Sequence, residues 1–274
     1  MPRPVLWNGS QVTDLGTLGG RVGFAGDINS SGQIAGQSDS SLGQRLATRW
    51  DAAGVITNLG TLDGNYSYAS AINTHGQIVG TSYASPFAPG AGNPTHATLW
   101  NGAFATDLDP NGSYSSAYDI NDHRQIVGSI LQPEVPGQSR EIHATLWNGI
   151  TPVDLGTLGG SFSDARAINN AGQVVGYSDT IPQTHSEHAF LWNGTAMTDL
   201  NSLLDASTVN DGWVLTEAMD INDNGWIVGT AYNSTSGVNQ AFLLAPEPKT
   251  YALMLAGLCL IGFVTRRKKA ENRV

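Results

Sequence analysis

A single cysteine, Cys259, is all the sequence contains, and it stands in an apolar segment near the C-terminus. No intramolecular disulfide and no cysteine-based metal site can therefore form. Lysine is missing from the first 245 residues, where seven arginines face 21 acidic residues, a net charge of −14. So acidic a body repels nucleic acid and anionic lipid, which argues against both as its partners. Helix-forming runs of useful length are also absent before residue 250. The 33 glycines and 12 prolines among 274 residues instead suit many short strands separated by turns.

What is present is a repeat. Tryptophans fall at positions 7, 50, 100, 147 and 192, and Ile28, Ile72, Ile120, Ile168 and Ile221 recur in step. Each unit runs from an apolar stretch ending in Trp, through Asn-Gly and Asp-Leu-Gly-Thr-Leu-Gly-Gly, to Ile-Asn and Gly-Gln-Ile-Val-Gly. The Trp spacings of 43, 50, 47 and 45 match a four-stranded propeller blade better than a two-helix or leucine-rich unit. Asn8-Gly9, Asn101-Gly102, Asn148-Gly149 and Asn193-Gly194 read as the two positive-φ positions of a tight hairpin turn. A second hairpin joins "AIN" to "GQIVG" across two residues such as Asn170-Ala171 or Thr74-His75, with the following Gly relieving the turn.

Four antiparallel strands repeated about five times predict an all-β chain, a β-propeller over residues 1–245. Such sheets bury both faces only by stacking, so the tryptophans are expected between blades, each N–H satisfied by a neighbouring loop. Counted from "TDLG" to the next "HAFLW", five complete blades end at Leu244 and leave Val5 to Trp7 spare. Because "AFLL" at 241–244 is equivalent to that spare strand, the ring either excludes residues 1–8 or is open and short of a blade.

"HAFLW" at 188–192, "DLGTLGG" at 14–20 and 154–160, and "AINNAGQVVGYS" at 167–178 resemble the HAF repeats of bacterial extracellular proteins. The resemblance covers residues 5–245 and implies export and a propeller-like body, with no known reaction. Residues 246–274 carry a second resemblance. Pro246, Glu247 and Pro248, an apolar helix over 251–265, and the basic Arg266, Arg267, Lys268 and Lys269 are similar in order to a PEP-CTERM sorting signal. That resemblance implies an exosortase-type membrane protease as partner, transient anchoring in the inner membrane, and a final place at the cell surface or in an exopolysaccharide matrix. The charge rule agrees, since a basic cluster stays cytoplasmic and leaves residues 1–245 outside. The start, "MPRPVLWNGS", has no apolar signal core and opens in mid-unit, which reads as a truncated beginning.

The recurring histidines His96, His143 and His188 hold one repeat position, whereas an active site joins different residue types once. They are expected to make local strand-edge hydrogen bonds, and no catalytic residue, cofactor or metal ligand is assigned. "DINDNG" at 220–225 begins like a calcium loop but has Ala231 where a bidentate Glu is required. Glu134, Glu141, Glu187 and Glu217 are the acids that could serve a polysaccharide-cleaving enzyme. The expected function is thus an exported, non-enzymatic repeat protein, with a secreted propeller enzyme or a calcium-dependent carbohydrate-binding module as alternatives. Loops between "GQIVG" and "HAFLW" vary while other turns keep their length, so they are expected to form one ligand face. It would carry Tyr83, Phe87, Glu134, Arg140, His185 and Glu187.

Overall fold

An asparagine at the end of each repeat's first strand shapes the turn that follows. Asn29, Asn73, Asn121, Asn169 and Asn222 each accept, on the side-chain oxygen, the N–H groups two and four residues ahead. The residue three positions on has positive φ and is Gly in four repeats, but in the third it is Arg124, at 62°. Each first strand bulges out of register two residues before its final Ile, at Gly26, Ser70, Tyr118, Arg166 and Met219 in turn, and β3 and β19 carry a second register shift nearer their start. A bulge twists the strand and re-aims its side chain.

In the computed structural model, the described residues are 1–84, 94–102, 104–112, 114–134, 136–137, 139–182 and 186–246. An initial hairpin pairs β1 (Val5–Asn8) with β2 (Gln11–Asp14). Blade 1 holds β3 (Gly19–Ile28), β4 (Ile34–Ser40), β5 (Arg45–Trp50) and β6 (Ile56–Gly60). Blade 2 holds β7 (Ser67–Ile72), β8 (Ile78–Tyr83), β9 (Thr95–Asn101) and β10 (Phe104–Asp107). Blade 3 holds β11 (Ser115–Ile120), β12 (Gln125–Leu131), β13 (Ile142–Asn148) and β14 (Thr151–Asp154). Blade 4 holds β15 (Ser163–Ile168), β16 (Val174–Asp179), β17 (Glu187–Trp192) and β18 (Met197–Asp199). A 3-10 turn at Leu200–Leu203 and a short helix, α1 (Ala206–Asn210), lead to the three strands of blade 5. These are β19 (Trp213–Ile221), β20 (Ile227–Asn233) and β21 (Val238–Leu244). Within every blade the strands are antiparallel and follow chain order.

First strands of neighbouring blades touch, so they line the centre and the fourth strands lie outside. Between blades the core is continuous. Trp100 of blade 2 packs with Ala35 of blade 1, and Trp147 of blade 3 with Val79 and Leu108 of blade 2. Polar ties follow the same direction. The side-chain amides of Asn29, Asn73, Asn121 and Asn169 each donate to the main-chain oxygen of the next Asn in the series, at 3.0, 3.2, 3.1 and 3.1 Å. Asp27 and Asp119 likewise accept the backbone N–H of Ile72 and Ile168 in the following blade, each at 2.8 Å. In blades 2 and 4 the place of these aspartates is taken by Ala71 and Ala167, and blade 5 returns to Asp220.

Three expectations need correction. The blade boundary falls at "DLGTLGG", not before "TDLG". The Asn-Gly turn keeps the Trp strand and the "TDL" strand in one sheet, while Gly16, Gly19, Gly156 and Gly159, all at positive φ, carry the chain across to the next. Blades 1–4 are therefore complete, blade 5 has three strands among the described residues, and Val5 to Trp7 is no spare strand because it pairs with β2. In the Asn8-Gly9 and Asn148-Gly149 turns only the glycine has positive φ, which suits a type II′ turn with Gly first, and the Asn belongs to the strand; Asn193-Gly194 instead lies in a longer loop between Trp192 and Met197. The tryptophans, finally, are not all core. Trp50, Trp100 and Trp147 are buried, but Trp7 is 67% exposed because the initial hairpin has no inner strands beside it. Of the three buried indoles only Trp147 finds an acceptor, Leu108 O at 3.1 Å, while the N–H groups of Trp50 and Trp100 have none.

Candidate functional site

Each recurring histidine is the second residue of a third strand and turns back onto the aspartate of the fourth strand in its own blade. His96 Nδ1 meets Asp107 at 2.8 Å, His143 Nδ1 meets Asp154 at 2.8 Å, and His188 Nδ1 meets Asp199 at 2.7 Å. This is the local strand-edge bond the repeat position implied. The hydrogen bond that Asp154 accepts raises His143 above the ordinary histidine value, against the opposite pull of burial. The pairs stay apart on separate blades; among the described residues no three His, Cys, Asp or Glu side chains gather as a metal site.

The connections between second and third strands all leave on one side, here called the loop face, opposite the asparagine turns. Of the residues assigned to that face, Tyr83 stacks on Tyr66 with ring centres 5.0 Å apart, and Glu134 and Arg140 are exposed in the β12–β13 connection. Glu187 opens β17 and lines a pocket of about 590 Å³ between blades 4 and 5, together with His188, Glu217 and Tyr232. Phe87 and His185 lie outside the described residues. So does the tail beyond Pro246, with Glu247, Pro248, the apolar segment 251–265, and Arg266, Arg267, Lys268 and Lys269. The structure does not bring the described face residues into one pocket.

It gathers a different set near the axis. Arg166, the bulge residue of β15, lies between two rings, its guanidinium carbon 5.0 Å from the Tyr118 centroid and 5.1 Å from that of Tyr177. Its Nε donates to Glu217 Oε1 of blade 5 at 3.0 Å, and its Nη1 is 3.7 Å from Asp164 Oδ2. Asp164 is 4% exposed, and its Oδ1 is buried with no hydrogen-bond partner. Burial pushes its carboxyl up to about 7, although Arg166 and the hydroxyls of Ser129 and Tyr118 pull it down. Burial also raises the Tyr118 phenol to about 12. Asp164, Tyr118 and Ser129 line a second loop-face pocket, of about 180 Å³, between blades 3 and 4. A carboxyl that is neutral over part of the physiological range can both donate and accept, and Arg166 fixes its position.

Residues 105–241 match the family described as protein of unknown function, DUF3466. The chain belongs to that family. In this DUF3466 protein a PEP-CTERM protein-sorting motif follows at residues 244–268, which implies export by way of an exosortase to the cell envelope or surface. Among the described residues no helix is long and apolar enough to cross a membrane. No curated protein matches the sequence. Solved structures do match in fold. The β-propeller domain of the Trilobed protease from Pyrococcus furiosus, described as having an open velcro topology, aligns at TM-score 0.55 and 13% identity over 86% of this chain and 69% of that one. Acylaminoacyl peptidase from Pyrococcus horikoshii, and an acylaminoacyl peptidase complexed with Z-Gly-Gly-Phe-chloromethyl ketone, each align at TM-score 0.52 and 13% identity over 86% of this chain. The DUF3466 chain spans only 38% of those two peptidases. At such identity the likeness establishes a β-propeller fold alone.

Sequence reasoning named Glu217 as an acid and missed Asp164, Arg166, Tyr118 and Tyr177. A signal was there. Asp164 and Glu217 occupy the position held by Phe24, Tyr68 and Ser116, and Arg166 the position of Gly26, Ser70 and Tyr118. Charges that break a repeat on an inner strand mark a site that scaffold packing does not explain.

Proposed function

We propose that this protein is an exported, non-enzymatic repeat scaffold of the cell surface or exopolysaccharide matrix, its HAF-type blades presenting a ligand face. The sorting motif carries the reading, because it starts on Leu244, the last residue of β21, and so follows the propeller strands directly in the sequence. On this reading an exosortase-type protease reads Pro246-Glu247-Pro248, the apolar segment 251–265 holds the chain briefly in the inner membrane, and Arg266 to Lys269 stay cytoplasmic. The test is expression in an exosortase-bearing bacterium, with intact mass measured after fractionation. The surface fraction should have lost the tail, and alanines at Pro246, Glu247 and Pro248 should leave a full-mass, membrane-retained chain. Full-length protein at the surface, or wild-type protein confined to the cytoplasm, would overturn it.

An enzyme acting on polysaccharide is the second reading, favoured by the raised carboxyl of Asp164 near Glu217. Paired-carboxylate hydrolysis needs a second carboxylate free to attack or to activate water. Glu217 is instead bound to Arg166 at 3.0 Å. The binding reading therefore stands first.

A further inference from the structure

The pocket between blades 3 and 4 is built of unlike parts. Its lining is polar at Ser116, Ser129, Tyr118 and Asp164 and aromatic at Phe162 and Tyr114. The hydroxyls of Ser129 and Tyr118, which reach the Asp164 carboxyl, also offer hydrogen-bonding partners to a ligand O–H in the pocket. A cationic group is not called for, because the Arg166 guanidinium already lies 3.7 Å from the same carboxyl. An anion meets Asp164, Glu217 and a strongly acidic body. A volume of about 180 Å³ is below the roughly 300–1,000 Å³ of drug-sized pockets. It suits one small ring.

We infer that this pocket is a subsite for a single neutral pyranose ring, its hydroxyls meeting Ser129, Tyr118 and the Asp164 side chain and its C–H face meeting Phe162 and Tyr114. Aromatic residues and a few polar groups lining one small pocket fit a ring with hydroxyl edges and an apolar face. The inference rests on the ligand-face part of the reading above and not on its export part. Failed sorting would leave binding by the purified protein untouched, and failed binding would leave sorting untouched.

The experiment titrates the purified full-length chain with methyl glycosides of glucose, galactose, mannose and N-acetylglucosamine, followed by saturation-transfer NMR. Glucuronate and choline serve as charged probes. At least one neutral glycoside should bind more tightly than either charged probe. Asp164→Ala should weaken it tenfold or more, and Tyr114→Ala, at the exposed rim, should weaken it severalfold. If Asp164→Ala fails to fold by circular dichroism, Tyr114→Ala with an unchanged melt decides. Absence of binding by every neutral glycoside, preference for glucuronate or choline, or binding unaltered in the folded variants would overturn the assignment.

Discussion

At Asp164 burial and a neighbouring guanidinium act in opposite directions on one carboxyl, and burial prevails, raising it to about 7. Asp119, half-buried beside Asp27 and Asp220, is raised to about 6, again chiefly by desolvation. For an acid raised in the folded state, the fold favours the protonated form. Its contribution is whole below the ordinary carboxylate range near 3.8 and is lost as pH climbs through the folded value. These two groups should therefore make resistance to thermal unfolding decline steadily from about pH 4 to pH 8. The gap for Asp164 amounts to on the order of 4 kcal/mol, and Asp164→Asn should flatten the larger part of the slope. A wild-type midpoint independent of pH, or an unchanged slope in the variant, would contradict this account.

Strands of the same sequence type differ in worth according to what lies beside them. Trp147 is fully buried against Val79, Leu108 and Ile126, whereas Trp7 holds the same place in its unit and is largely in solvent. Urea denaturation should show Trp147→Ala losing about 3–5 kcal/mol and Trp7→Ala within about 0.5 kcal/mol of wild type. Equal losses would mean that the initial hairpin is covered in solution. What recurs was legible in the sequence: strands, turn asparagines, interblade tryptophans and the bond from each repeat histidine. The blade boundary was not, because "HAFLW", "TDL" and the next inner strand are all separated by Gly-rich turns, and only the sheet pairing shows which turn stays within a blade. Nor was the axial cluster. Alignment on recurrence discards the positions where Asp164, Arg166 and Glu217 depart from their equivalents, and their meeting depends on strands from two blades plus a bulge.

Across the whole molecule the stack is open. Among the described residues no strand of the initial hairpin or blade 1 pairs with blade 5. Val228 of blade 5 is 42% exposed where its equivalents Val79, Val127 and Val175 are fully buried, and Ile28 of blade 1 is 52% exposed where Ile72 and Ile120 are buried. In a linear array each unit is stabilised by its neighbours, so stability declines toward the ends. Amide hydrogen exchange should be slowest in the inner strands of blades 2–4 and faster in β1, β2 and β21. Uniform protection from end to end would show a closed and cooperative ring. The aspartate that ties one blade to the next has a further consequence, which is one of parity. Asp27 and Asp119 each reach an isoleucine N–H in a blade whose own residue is alanine, while Ile28, Ile120 and Ile221 spend that N–H on the aspartate beside them. The true period of the axis is two blades. Duplicating or deleting one blade would set aspartate beside aspartate with no donor between them, whereas gene duplication in pairs would keep every carboxylate matched. Asp220 at the end of the series is an odd member awaiting an even one.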